Sequence, residues 1–290
     1  MSTIIERPIH KLWLRTDIPF AEYQRLQGVS WSKLSAARTS MLAYHEGLTA
    51  DKQPTPLMIV GSAIHAAVLE PHIFDAEYVL YEGRKSGGSW ETFKAEHPGA
   101  TVLNPEQYEQ VMGAAWAVLH GRQGREARRV MRHCKREVTL RWVDPVTHIR
   151  CKARPDLVRR GLLADLKTTG SAEKRKFGRL AGELGYHGKM AFAAMGLRTL
   201  GVPFERVAVI AVEQKPPHDI GVFDIGEEDL ALSEDMVSNL LAKVKECRRR
   251  RIWPGRYEGA QALDLVPWIF DEDNDISDLG IPFEVRGETA

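Results

Sequence analysis

Long apolar runs are missing from this sequence. No stretch of its 290 residues approaches a membrane span, and the opening MSTIIERPIHKLW lacks the apolar centre of a signal peptide. A cytoplasmic location with no membrane partner is the expectation. Cysteine is scarce: Cys134, Cys151 and Cys247 are far apart and odd in number. That excludes a disulfide framework and a four-thiolate zinc or iron–sulfur set, and the three read as reduced thiols. There is no charge excess, since the formal net charge is +1, so total charge selects no partner and its distribution must be read instead. No internal repeat appears. What is left is ordinary for a globular protein: 43% hydrophobic and 27% charged residues, in a chain long enough for one large domain or a domain with an accessory lobe.

Helix and strand signals alternate along the chain. Pro8 and Pro19 interrupt residues 1–28, which read as an irregular lead-in. Ser30 suits the cap of a helix running to about Glu46, with Leu34, Ala37, Met41 and Leu42 at helical spacing and Gly47 at its end. LMIVGSAIHAAVLEP is a short apolar helix ended by Pro71. Its Gly61 and His65 lie one turn apart, so His65 projects from a face that backbone can approach closely. Glu70 reads as a local structural residue at the helix end. RKSGGSWETFKAEHPG, 84–99, is expected as an exposed loop around a partial helical turn. A helical pattern covers 105–136, broken or bent at Gly121 and Gly124. Its second half carries Arg125, Arg128, Arg129, Arg132, Lys135 and Arg136, which is either a solvated face or a phosphate-contacting one.

Glu137 opens the alternating run EVTLRWV, with Val138, Leu140 and Trp142 on one face and Glu137, Thr139 and Arg141 on the other. Asp144-Pro145 turns the chain into IRCKARPD. Later, Ser171 is the expected cap of a helix closed by Gly185, with Phe177, Leu180, Ala181 and Leu184 buried. YHGKMAFAAMGLRTL is a second helix, RVAVIAVE a covered strand, DIGVFDIG another, and 227–250 a long final helix. From Asp264 the tail turns acidic around Trp268, and is expected loosely packed or docked on a basic surface.

The chemistry concentrates in ARPDLVRRGLLADLKTT, 153–169. Arg160-Gly161 suits a two-residue hairpin loop, and pairing partners then sum to 321, which sets Asp156 opposite Asp165. Lys167 shares the face of Asp165, because side chains alternate with period two. Two facing carboxylates repel unless something neutralises them, and a divalent cation does so. Asp156, Asp165 and the Leu166 carbonyl would make an oxygen site for Mg²⁺, with Lys167 placed to orient a water and stabilise charge on a phosphoryl group. The structural alternative is a buried ion pair between Lys167 and one aspartate, which leaves the other acid unbalanced. For His65 the alternatives are a satisfied core histidine and a site residue.

RPD at 154–156 followed by DLK at 165–167 looks like the PD-(D/E)xK nuclease signature. Together with GVSWSKLSAARTS at 28–40, GSAIH and LEP within 61–71, Glu137, and GYHGKMAF at 185–192, the order and spacing resemble RecE-type exonucleases, the exodeoxyribonuclease VIII family, over about residues 16–257. The resemblance implies an α/β fold with a central mixed sheet flanked by helices, the restriction-endonuclease-like core. It would occupy one domain over 1–270, with 271–290 as an acidic tail.

The implied activity is Mg²⁺-dependent resection of one strand of linear double-stranded DNA, 5′→3′, giving a 3′ overhang for a single-strand annealing protein. Alternatives are a related endonuclease or helicase-associated nuclease module, and a non-catalytic DNA-end-binding recombination protein. His65 would join Asp156 and Asp165 on the metal, an imidazole that would also accommodate Mn²⁺. Glu137 would support the site through water, and Lys167 would be the catalytic lysine. Arg154, Lys174, Arg175, Arg179, Arg128 and Arg132 are candidate DNA contacts, and a homo-oligomeric ring is implied. Lys189 and Ala193 stand where the family often has Gln and Tyr; Lys189 could contact a phosphate there.

Overall fold

The protein is described at residues 13–50 and 53–263 by a computed structural model. Expectations for the acidic tail and for residues 1–12 fall outside those residues. The lead-in is more ordered than its prolines suggest: it holds β1 (Trp13–Arg15) and α1 (Phe20–Arg25). The expected helix from Ser30 to Glu46 is broken into α2 (Trp31–Leu34), a tighter 3-10 turn (Ser35–Arg38) and α3 (Met41–Glu46). The break has a local cause, because the Ser40 hydroxyl accepts from the Ala43 N–H and starts α3 afresh.

Thr55 and Pro56 start α4 (Pro56–Leu69), and α5 (Pro71–Glu77) follows at Pro71. β2 (Tyr78–Leu80) pairs in parallel with β3 (Thr101–Leu103), and the segment between them contains α6 (Gly88–Glu96), a fuller helix than the partial turn expected. An Asn104–Gln107 capping box opens α7 (Pro105–Leu119). The chain then bends through Gly121 and Gly124 into α8 (Arg125–Met131). The single helical pattern over 105–136 therefore ends early, and Lys135–Arg136 form β4.

β5 (Thr139–Val143) and β6 (Arg150–Ala153) form a hairpin that adds β1 at its edge. β7 (Leu157–Arg159) and β8 (Gly161–Thr169) pair as Leu157 with Ala164 and Val158 with Leu163, the register read from the turn. Gly161 supplies the φ of +82° that the turn requires. Glu173, not Ser171, caps α9 (Lys174–Leu184), because its carboxylate accepts from the Arg175 and Lys176 N–H groups. Phe177 is the buried residue of α9, while Leu184 is exposed. Gly185 turns directly into α10 (Tyr186–Thr199). β9 (Phe204–Glu213), β10 (Ile220–Asp224) and α11 (Glu227–Arg250) complete the fold.

Five strands among the described residues form a mixed sheet in the order β10-β9-β8-β7-β4, with β8 and β9 parallel and the other neighbours antiparallel. Alternation along β8 and β9 feeds two cores. Leu163, Val207, Val209 and Ala211 pack with α10, α11 and the β5–β6 hairpin, whereas Leu162, Ala164, Leu166, Ala208 and Ile210 pack with α4, α7 and α8. Each fully buried leucine there contributes about 1.5–3 kcal/mol. Asp165 and Lys167 have the parity of Leu163, so they interrupt an otherwise apolar face of a covered strand. Residues up to Arg256 make one compact unit. Residues 257–263, outside that unit, have no regular structure.

Candidate active site

Asp156 stands at the entrance to β7, one step beyond the Leu157–Ala164 pair, which places it beside Asp165. Both carboxylates are buried. Isolated charges would not remain there, and each oxygen of the pair has a partner. Asp156 Oδ2 accepts from the Leu166 N–H at 2.8 Å and lies 3.0 Å from His65 Nε2. Asp165 Oδ2 pairs with the Lys167 ammonium. Lys189 Nζ, arriving from α10, donates to Asp156 Oδ1 at 3.1 Å and to Asp165 Oδ1 at 2.6 Å. The Leu166 carbonyl lies 3.4 Å from Lys167 Nζ.

His65 reaches this patch because α4 lies close to β8 at Gly61. A Cβ there would fall 2.8 Å from Thr168 Oγ1 and 3.3 Å from Gln214 Nε2, so only glycine permits the approach. Glu137 comes from the switch between β4 and β5, not from within a strand as the alternating pattern suggests. Its backbone is left-handed, φ 50°, a conformation that costs a non-glycine residue about 1 kcal/mol or more. Its N–H donates to the Asp156 carbonyl at 2.9 Å. Thr139, which shares the Glu137 face of the alternating run, is buried as well.

Arg154 closes the far side. Its guanidinium donates to Glu137 Oε2 at 2.5 Å, to the Ile18 carbonyl at 2.6 Å and to Thr139 Oγ1 at 3.2 Å, with Glu70 Oε1 at 4.0 Å. Only 8% of that side chain is exposed, so its charge is committed inward and not offered to a DNA backbone. Arg128 is similarly engaged, donating to the Val118 and Gly121 carbonyls. Lys174, Arg175 and Arg179 on α9 and Arg132 after α8 are exposed, with no contact to the cluster. Ala193, one turn beyond Lys189, is buried in the core.

The electrostatics follow from this packing. Burial and the charge of Asp156 push Glu137 up to about 7, against the pull of His65 and Arg154. Burial works against ionisation of Asp156, yet Lys189, His65 and Lys167 hold it well below the usual carboxylate range. Burial likewise opposes charge on His65, but Asp156 and Glu137 outweigh it and raise its pKa. Lys189 is held well above its ordinary value: its burial is overcome by Asp156 and Asp165.

Two tyrosines escaped the sequence reading. Tyr23 is pushed up to about 12 by burial, beside Lys189 and Arg154. Tyr186 sets its ring 5.2 Å from Lys167 Nζ. The second was legible, since Tyr186 and Lys189 are three apart on α10 and share a face.

One buried oxygen in this cluster has no hydrogen-bond partner, Glu137 Oε1. It lies 3.5 Å from His65 Nε2, and one donor atom each from His65, Glu137 and Asp156 falls within 4.8 Å of the others. An orphaned acceptor beside an imidazole nitrogen and a second carboxylate is a donor set that fits a divalent metal ion.

The family described as "PDDEXK-like domain of unknown function (DUF3799)" matches residues 28–265. The chain belongs to that family. Its α/β core is the PD-(D/E)xK fold, and the superfamily is that of the PD-(D/E)xK nucleases. Among solved structures it is similar to a protein of Eubacterium rectale described as a "putative exonuclease". Sequence identity is 12%, 84% of this chain and 93% of that one are covered, and the TM-score is 0.58, a likeness of fold. No curated protein matches the sequence. In this PDDEXK-like chain the hairpin segment carries Asp156, Asp165 and Lys167, while α4, the β4–β5 switch and α10 bring His65, Glu137 and Lys189 to them.

Proposed function

We propose that this PDDEXK-like protein is a metal-dependent exodeoxyribonuclease that degrades one strand of linear double-stranded DNA, 5′→3′, leaving 3′ overhangs for recombination by single-strand annealing. The observation that carries the metal-dependent reading is the unpartnered Glu137 Oε1 facing His65 and Asp156, one carboxylate away from the Asp165–Lys167 pair. The RecE-like motifs of the sequence carry the finer statement of polarity and role.

A divalent ion, Mg²⁺ with Mn²⁺ as an alternative, would be held by His65, Glu137 and Asp156 and would supply Lewis acidity to a phosphodiester oxygen. Lys167, paired with Asp165, would orient a water and donate to developing negative charge on the phosphoryl group. Arg154 holds the Glu137 carboxylate in position, and the Leu166 N–H does the same for Asp156. Outside the cluster, Lys174, Arg175, Arg179 and Arg132 offer exposed cations for sequence-independent phosphate contacts. The partners on this reading are duplex DNA ends, a single-strand annealing protein and further copies of the chain in a ring, in the cytoplasm. No helix among the described residues is long and apolar enough to cross a membrane.

The test is digestion of linear and covalently closed duplex DNA with Mg²⁺ or Mn²⁺, with Lys167→Ala as control. An exonuclease leaves the circle intact. Duplexes labelled at one 5′ or one 3′ end read the polarity, and early release of the 3′ label would overturn the 5′→3′ assignment. Binding of ends without hydrolysis would favour a DNA-end-binding protein instead, a reading to which Lys189 between the two aspartates lends weight.

A further inference from the structure

Within the cluster there are two places where a cation can sit. The first lies among His65 Nε2, Glu137 Oε1 and Asp156, where an acceptor is unpartnered. The second lies between Asp156 Oδ1 and Asp165 Oδ1, and it is filled by the chain itself: Lys189 Nζ stands 3.1 Å from one oxygen and 2.6 Å from the other. The remaining aspartate oxygens are taken by Lys167, and by the Leu166 N–H with His65.

Charge arithmetic points the same way. Glu137, Asp156 and Asp165 carry three negative charges. Arg154, Lys167 and Lys189 carry three positive ones, with Glu70 a further acid at the edge of Arg154. With Glu137 ionised and the imidazole neutral, as ligation requires, the carboxylates are already largely matched before any ion arrives. One divalent ion on the His65 side already leaves a surplus of positive charge on the cluster. A second ion between the aspartates would have to evict the ammonium, replacing one positive charge by two within a few ångströms of the first. The Coulomb cost at such separations, even at an effective dielectric of about 20, is several kcal/mol.

We infer that Lys189 is a resident cation that fills the second cation position and restricts the centre to a single divalent ion, held by His65, Glu137 and Asp156. The inference rests on the metal-centre reading above. It makes Lys189 a positioning residue: it holds the two aspartates together where a neutral side chain would leave them to a second ion.

The experiment is Mn²⁺ binding by equilibrium dialysis to the full chain stripped with EDTA, without DNA, on the wild type, Lys189→Gln and Glu137→Gln. Wild type should bind one Mn²⁺ and Glu137→Gln should lose it. Lys189→Gln should bind two, because the position between the aspartates is then open to a second ion. Thermal unfolding gives a second readout. Lys189→Gln should melt lower than wild type in EDTA and recover in Mn²⁺, a rescue that a purely structural lysine would not show. Lys189→Met, which keeps the apolar stem, serves the same comparison if Lys189→Gln does not fold. One ion on both Lys189 variants, whatever its affinity, two ions on the wild type, or no binding to any of them would overturn the inference. DNA cleavage is a separate measurement: its absence with this binding pattern intact refutes only the nuclease reading, and its presence with one Mn²⁺ on wild type and on both Lys189 variants refutes only the role of Lys189.

Discussion

Replacing Arg154 with methionine should unfold the site from its far side. The wild-type guanidinium neutralises Glu137, whose side chain is 11% exposed and already has one unpartnered oxygen, and it ties Ile18 and Thr139 to the same point. Breaking one side of a buried pair costs about 3–5 kcal/mol, because the remaining charge stays desolvated. Glu137 has a partial escape, protonation, since burial and Asp156 already place it at about 7 and loss of Arg154 moves it higher. The penalty should therefore be smaller at pH 6 than at pH 8, where keeping the proton is more costly. Urea unfolding of EDTA-treated protein at both pH values measures it. Arg154→Met combined with Glu137→Gln should recover all but about 1–2 kcal/mol, the share of the lost hydrogen bonds to Ile18 and Thr139. A single variant within about 1 kcal/mol of wild type would refute the buried-clamp argument and return Arg154 to the candidates for DNA contact. So would a double variant no more stable than the single one.

Three other outcomes are expected. Without metal, stability should fall by about 2–3 kcal/mol between pH 5 and pH 8. The folded pKa of Glu137 is raised to about 7 and that of His65 is also raised, so both bind protons more tightly when folded, and that stabilisation is lost as pH rises through the folded values. Asp156 acts in the opposite sense, with its pKa lowered, but its effect lies below that window. Urea midpoints in EDTA that rise with pH would contradict this, and Mn²⁺ should flatten the profile. Asp165→Ala should abolish cleavage in a DNA digestion assay. It should also cost about 2–4 kcal/mol of stability, because it strands Lys167 and Lys189 beside one remaining aspartate; a fully stable variant in thermal unfolding would show that the like-charge repulsion it relieves is the larger effect. Gly61→Val should cost about 1–3 kcal/mol by pressing on Thr168, and should weaken Mn²⁺ binding by displacing His65; unaltered Mn²⁺ affinity in dialysis would separate the α4–β8 approach from the site.

How much of this was legible in the chain depends on the distance over which each feature is decided. Arg160-Gly161 and the alternation around it are local, so the register, the Asp156–Asp165 juxtaposition and the shared face of Lys167 all followed from turn chemistry and period two. The same holds for α10, β9 and α11, each a long uninterrupted pattern. Local competition misled the reading elsewhere. Ser40 restarts a helix that periodicity alone would continue, and Glu173 outbids Ser171 as a cap because its carboxylate reaches two N–H groups.

The amino-acid order by itself determined the hairpin, its acids and lysine, and the apolar faces of the covered strands, because backbone sterics and side-chain alternation act within a few residues. Only tertiary packing decided that Lys189 lies between the aspartates, that Arg154 faces inward onto Glu137, and that one oxygen of Glu137 is left without a partner. Those outcomes depend on how α4, α10 and the β4–β5 switch meet across the sheet, and the charges settle where burial forces each to find a counter-charge.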